Sequence, residues 1–169
     1  DEAQLSDAQL VMARRHDFPS WPRFKQGIEL FNALCADDPA RVLALFETHP
    51  YLETERVTGG TSNWGPPLTC AAQVNAKKVV TALLDRGGQN LRSALDRAVL
   101  KGRIQMAREL IRAGAKPPPD IAMGPCETLS GKGLQFLVDL GLPLTDVNGD
   151  EKAPVGMLLE GYGRNSSGK

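Results

Sequence analysis

Four segments of the chain end in the same way, with a short amphipathic stretch running into a turn residue: Leu45-Phe46-Glu47-Thr48-His49, Leu83-Leu84-Asp85-Arg86-Gly87, Leu110-Ile111-Arg112-Ala113-Gly114 and Leu137-Val138-Asp139-Leu140-Gly141. The turn positions 49, 87, 114 and 141 lie 38, 27 and 27 residues apart, an internal period in the range of stacked helical units. Such a period limits the chain to architectures in which each unit covers the apolar face of the next. Stability is then a sum of neighbour interfaces rather than the product of one central core.

The residues between the turns specify two short antiparallel helices per unit. Pro67-Leu68-Thr69-Cys70-Ala71-Ala72 places small side chains where helices approach closely, Asn75 breaks the run, and Val79, Val80, Leu83 and Leu84 mark a second apolar face. The next unit repeats the plan with Ala94-Leu95, Ala98-Val99 and Gly102, then Ile104, Ala107, Leu110 and Ile111. Gly87 and Gly114 supply the left-handed residue that ends a helix.

On these residues the chain resembles the ankyrin repeat family. That family's Thr-Pro-Leu-His-x-Ala signature is matched by Pro66-Pro67-Leu68-Thr69-Cys70-Ala71, and its Val-x-x-Leu-Leu-x-x-Gly-Ala segment by Val80 to Gly88 and by Arg108-Glu109-Leu110-Ile111-Arg112-Ala113-Gly114-Ala115. No unit has the signature His, and the fourth reads Gly124-Pro125-Cys126-Glu127-Thr128-Leu129. The segment Leu5 to Lys25, with Ala8-Gln9-Leu10-Val11-Met12-Ala13-Arg14-Arg15-His16-Asp17-Phe18-Pro19-Ser20-Trp21-Pro22-Arg23-Phe24, is similar to a leader that precedes ankyrin repeats in certain bacterial proteins. The resemblance implies an all-α solenoid of about four helix pairs plus a fifth, incomplete one. Capping helices would occupy 1–29 and the repeats 30–66, 67–93, 94–120, 121–150 and 151–169. It also implies a non-enzymatic, cytoplasmic adaptor that binds a protein.

The N-terminal segment has its own physical reading. Ser6 with Gln9 reads as a capping box, and Ser20 before Trp21-Pro22 reads as a second helix start with Pro in the first turn. Two helices joined by Asp17-Phe18-Pro19 then precede the stack, with Phe18 and Trp21 covering its apolar end. Lys116-Pro117-Pro118-Pro119-Asp120 reads as an extended spacer, and Asp120 as a cap for a short segment limited by Gly124-Pro125. Ala153 to Tyr162 reads as a first helix without a partner, leaving Val155, Leu158 and Leu159 uncovered. The expectation is that the natural protein continues or that this end pairs with a second copy as a homodimer.

Composition excludes several function classes. Twenty Lys and Arg balance twenty Asp and Glu, so the chain has no overall electrostatic footprint for nucleic acid or an anionic membrane. No apolar stretch approaches the roughly 20 residues of a membrane span, and the first residues given do not read as a cationic segment followed by an apolar signal core. Cys35, Cys70 and Cys126 are three and widely spaced, which fits buried thiols in a reducing compartment without disulfides.

The motifs that carry chemistry fail on inspection. His16 and His49 have no Cys, Asp or Glu at metal-ligand spacing, so no metal or cofactor is expected. His49, before Pro50, reads as a cation complementing a helix C-terminus. Asp146, Asn148 and Asp150 alternate as calcium ligands do, but the turn Gly is replaced by Glu151 and the bidentate Glu by Met157; Asn148-Gly149 is better explained as a hairpin turn. Ser130-Gly131-Lys132-Gly133 lacks the earlier Gly and the following Ser or Thr of a phosphate loop. Asn165-Ser166-Ser167 is a formal glycosylation acceptor with no secretory signal to use it.

A recognition surface remains. In a stack of helix pairs, the two residues after the small step of each first helix face the concave side, which selects Gln73 and Val74, Leu100 and Lys101, and Glu127 and Thr128. Loops 56–66, 89–92 and 117–123 would add Arg56, Asn63, Trp64 and Arg92. Trp64 is the one large aromatic on a long loop; it serves either as an interface anchor or as a pin that holds its loop on the second unit. The competing class is a small-ligand binder or enzyme using carboxylates in loops 56–66 and 146–151, which needs a deep cleft with convergent polar groups.

Overall fold

The computed structural model describes residues 2–59, 62–63, 65–144, 153–154 and 156–159. Two compact units divide the chain, Asp1–Gly87 and Gly88–Lys169. The first contains α1 (Glu2–Arg15), α2 (Trp21–Cys35), α3 (Pro39–Thr48), a 3-10 turn (Pro50–Glu53), the two-residue strands β1 (Thr58–Gly59) and β2 (Ser62–Asn63), α4 (Pro67–Val74) and α5 (Lys77–Asp85). The second contains α6 (Leu91–Leu100), α7 (Ile104–Arg112), α8 (Met123–Glu127) and α9 (Gly131–Asp139). Residues 154 and 156–159 are helical as well. Apart from the minimal hairpin, regular structure among the described residues is helical.

Within each unit, helices pack like with like. In the first, α2 packs on α3 and α4 on α5, while α2 also meets α4 and α3 meets α5. In the second, α6 packs on α7 and α8 on α9, with α6 against α8 and α7 against α9. The apolar periodicity decides which faces close. Leu30, Leu34, Val42, Phe46, Val79 and Val80 are buried in the first unit, and Leu95, Val99, Leu110, Phe136 and Leu137 in the second. Burying one such side chain is worth about 1.5–3 kcal/mol, so the core of each unit rests on a handful of aliphatic and Phe residues.

The turns inside the pairs share one backbone device. Asp37, Asn75, Gly102 and Leu129 all adopt positive φ, at 51°, 67°, 62° and 54°. They lie 38, 27 and 27 residues apart, the same steps as the helix ends read from the sequence. In each, the next residue's N–H donates to a carbonyl five residues back: Asp38 to Ala33 (3.1 Å), Ala76 to Ala71 (2.9 Å), Arg103 to Ala98 (2.7 Å) and Ser130 to Pro125 (2.8 Å). This is the Schellman closure, which satisfies carbonyls left open at a helix end. Leu129 has no small or Asx side chain to ease the conformation, and a branched residue there carries strain of about 1–2 kcal/mol.

Several sequence expectations change in the structure. Ser6 does not start a helix, because α1 already begins at Glu2; Glu2-Ala3-Gln4-Leu5 are good helix formers and propagate through the serine. Ser20 does cap α2, accepting from the Arg23 N–H at 3.5 Å, with Pro22 in the first turn. Asp120 contributes its backbone carbonyl, which accepts from the Met123 N–H at 3.0 Å, and α8 has no side-chain cap. The divisions at 29/30 and 93/94 fall inside α2 and α6, whereas 66/67 coincides with the start of α4. Asp146 to Glu151 and Val155 lie outside the described residues.

One contact joins the two helix pairs of the first unit. Asp37, in the α2–α3 turn, accepts from the Val79 N–H of α5 at 2.9 Å, and Ala76 at the helix start offers no side-chain cap of its own. Asp37 therefore caps a helix 42 residues away. Asp37→Ala is expected to lower stability by about 1 kcal/mol, with Asp37→Asn retaining most of it; urea denaturation of both variants measures the difference.

In the second unit, Gly133 of α9 faces α6 so closely that the Val99 carbonyl oxygen occupies the space a Cβ would need. Gly131, one half-turn earlier, has open space at the same position. Gly133→Ala should cost at least about 1–3 kcal/mol through overpacking, while Gly131→Ala should be neutral or stabilising by up to about 1 kcal/mol. Equal melting temperatures for the two variants would contradict the close approach.

Candidate partner-binding face

The first helices of three pairs end in residues that occupy equivalent positions relative to the left-handed turn. Gln73 and Val74 immediately precede Asn75, Leu100 and Lys101 precede Gly102, and Glu127 and Thr128 precede Leu129. Lys101, Glu127 and Thr128 are exposed, and Gln73, Val74 and Leu100 are half-buried. Within the second unit two of these places adjoin: the Thr128 hydroxyl lies 3.5 Å from the Leu100 carbonyl and donates more closely to the Gly124 carbonyl at 2.9 Å. The Leu100 side chain lies over Gly124, where an added Cβ would stand 2.9 Å from its Cδ1. Leu100 thus supports α8 as well as bordering the face.

The loop residues fare differently. Arg56 is exposed just before the hairpin, whose base is closed by the Val57 N–H donating to Gly65 at 2.7 Å. Asn63 lies in β2 paired with Thr58, and Trp64 lies outside the described residues. The segment 56–66 contains no carboxylate, which removes one half of the carboxylate arrangement read for an enzyme. The nearest acids before it are engaged: Glu55 with Arg23 at 3.2 Å and Glu53 with Arg86 at 2.6 Å.

The α6 face was only partly legible from the sequence. Ala94, Leu95, Ala98 and Val99 are fully buried, leaving Arg92, Ser93, Asp96, Arg97, Leu100 and Lys101 on the remaining arc of the helix. Arg92 and Lys101 belong to the expected set; Asp96 and Arg97 do not, although counting one turn back from Lys101 reaches Arg97. Burial pushes the Asp96 carboxyl above its usual range, Asp120 adds to the rise, and Arg97 and Arg92 oppose it. Asp96 is thereby the half-buried acid of an otherwise cationic arc.

A second polar cluster, missed in the sequence, lies between α2 and the 3-10 turn. The Arg23 guanidinium stacks 3.7 Å from the Tyr51 ring centroid and pairs with Glu55. The Tyr51 hydroxyl donates to Gln26 Oε1, and the Gln26 amide nitrogen lies 3.2 Å from His49 Nε2. His49 stands at the C-cap of α3, the helix end where the sequence places it. The cluster pins the 3-10 turn to α2. At the start of α2, Phe18 meets Phe24 edge-on and Trp21 meets it at a tilt, and Phe18 lies over Gly27 with 2.7 Å to the place of a Cβ.

Among the described residues no three His, Cys, Asp or Glu gather to hold a metal, and no helix is long and apolar enough to cross a membrane. Thr69 Oγ1, Gln73 Oε1 and Arg103 Nε are buried without a hydrogen-bond partner among those residues. Comparison with known proteins finds no family model that matches the chain and no curated protein that matches it significantly.

The cysteines are unequal. Cys35 is exposed, whereas Cys70 is fully buried and its thiol is pushed up to about 12, mainly by burial and further by Cys35. A raised thiol pKa contributes stability that is complete below the unfolded value and is lost as pH rises toward the folded one. Stability should therefore fall above pH ~9 by at most about 1.4 kcal/mol per pH unit from this group, and Cys70→Ala should flatten that fall. Native-state alkylation read by mass spectrometry should label Cys35 well before Cys70.

Proposed function

We propose that the chain is an ankyrin-type interaction module, a cytoplasmic bacterial adaptor without chemistry of its own that binds a protein through the ends of its first helices. The observation that carries this reading is the recurrence of one pair geometry. First helices meet first helices and second helices meet second helices within each unit, and each pair is closed by the same left-handed turn at steps of 38, 27 and 27 residues. Repeated geometry brings the residues just before each turn to equivalent places, and repeat proteins use such rows for binding. Each unit then offers its own set: Gln73 and Val74, with Arg56 on the preceding loop, in the first, and Lys101, Glu127 and Thr128, with Arg92, in the second.

Support also comes from what these residues are. They differ in charge and size from pair to pair while the buried residues are apolar apart from Thr69, the pattern of a scaffold whose surface carries the recognition. Leu158 and Leu159 are 36% and 67% exposed, which leaves a second copy of the chain among the partners this module can take.

The test is quantitative co-purification from the native host with the wild-type chain, a Val74→Glu, Glu127→Arg variant, and a Lys77→Glu, Lys78→Glu control on α5. Partner recovery should drop at least about tenfold for the first variant, equivalent to roughly 1.4 kcal/mol, and stay near wild type for the control. Unchanged recovery with intact helical circular dichroism would remove the row from consideration.

A further inference from the structure

The even balance of charge over the whole chain hides a local imbalance. Between positions 92 and 116, seven Lys and Arg stand against two carboxylates. On the open arc of α6, Arg92 and Lys101 are exposed and Arg97 half-buried between them. None of the three forms an ion pair with another described residue, whereas Arg23, Arg41 and Arg86 of the first unit all do. Arg97 and Lys101 are one helical turn apart, hence neighbours on the surface, while Arg92, about 14 Å from Lys101 along the helix axis, stands at the opposite edge of the arc.

We propose that the α6 arc docks an acidic segment of the partner protein, an extended stretch of Asp and Glu whose carboxylates meet Arg92, Arg97 and Lys101. This rests on the reading of the chain as an interaction module and specifies the chemistry of what it binds at α6. Charge complementarity selects the occupant. A nucleic acid is disfavoured because the chain as a whole is neutral, so the long-range attraction that concentrates a polyanion is missing. A membrane is disfavoured because the one apolar residue of the arc, Leu100, is half-buried against Gly124 and leaves nothing to insert. A short acidic segment needs neither; it needs a few cations at close spacing, and an arginine among them offers a planar fork for carboxylates.

Asp96 supplies an internal check. It is the one carboxylate on the arc, so its removal should strengthen an acidic ligand, whereas loss of an ordinary structural residue would not. The probe is a fluorescein-labelled peptide of about a dozen alternating Glu and Asp, followed by anisotropy at low ionic strength, where such contacts are least screened. Binding to the full chain should weaken at least tenfold in Arg97→Glu, Lys101→Glu, strengthen about threefold in Asp96→Asn, and fade as salt rises. Circular dichroism monitors folding, and Arg97→Gln, Lys101→Gln carries the test if the charge reversal unfolds the chain.

Three outcomes would overturn the proposal: unchanged affinity in the folded double variant, weaker binding in Asp96→Asn, or tighter binding of a duplex DNA or of phosphatidylserine vesicles than of the peptide. Co-purification that depends on Val74 and Glu127, together with a peptide indifferent to Arg97 and Lys101, would retain the module and discard the acidic partner. The reverse pattern would retain the acidic site and discard the row.

Discussion

Each of the four described helix pairs turns on a residue held at positive φ, followed by an N–H that reaches back to a carbonyl five residues earlier, a closure that recurs after α1, α7 and α9. The bond closes the first helix, satisfies backbone groups that would otherwise be buried open, and aims the chain back along the helix it has just left. With the turn fixed, the antiparallel partner has one direction to follow, and the apolar residues decide only how it rotates. Asp37, Asn75, Gly102 and Leu129 do this work with four different side chains. The constraint is therefore on a dihedral angle rather than on residue identity.

That difference explains what could be read from the sequence. The apolar faces, Asn75, Gly102 and the ends at Gly87 and Gly114 were legible because residue type and geometry coincide there: small or Asx side chains tolerate positive φ. Leu129 gave no such signal, since nothing local favours a leucine in that region. Ser6 gave a misleading one, because a capping pattern is only a preference and the residues before it continue the helix. Asp37 capping α5 was beyond reach for another reason: the bond crosses 42 residues, and short-range patterns contain no information about it. Counting from the small step reaches the residues just before each turn, while Asp96 and Arg97 emerged only once burial defined the open arc of α6.

Polar contacts are distributed unevenly between the two units. In the first, arginines are used internally: Arg86 holds Glu47 and Glu53, Arg41 holds Glu29, and Arg23 is shared between Glu55 and the Tyr51 ring. These pairs are partly exposed and individually worth only about 0–1 kcal/mol, but they lock the 3-10 turn to the helices around it. In the second, Arg108 lies over the Phe136 ring, 5.2 Å from its centroid, and much of its other positive charge faces outward. The same residue type thus serves cohesion in one half of the chain and display in the other.

The missing side chain at Gly133 has a further meaning for α9. A helix packed on another can ordinarily slide along it or roll by a fraction of a turn, because apolar side chains offer several nearly equivalent seats. Here a main-chain oxygen of α6 enters the notch left by the absent methyl group of Gly133, and Lys132 and Leu134 on either side are too large to receive it. The notch acts as an index mark: it sets the height and the rotation of α9 together, and so determines which of its residues are carried to the outside.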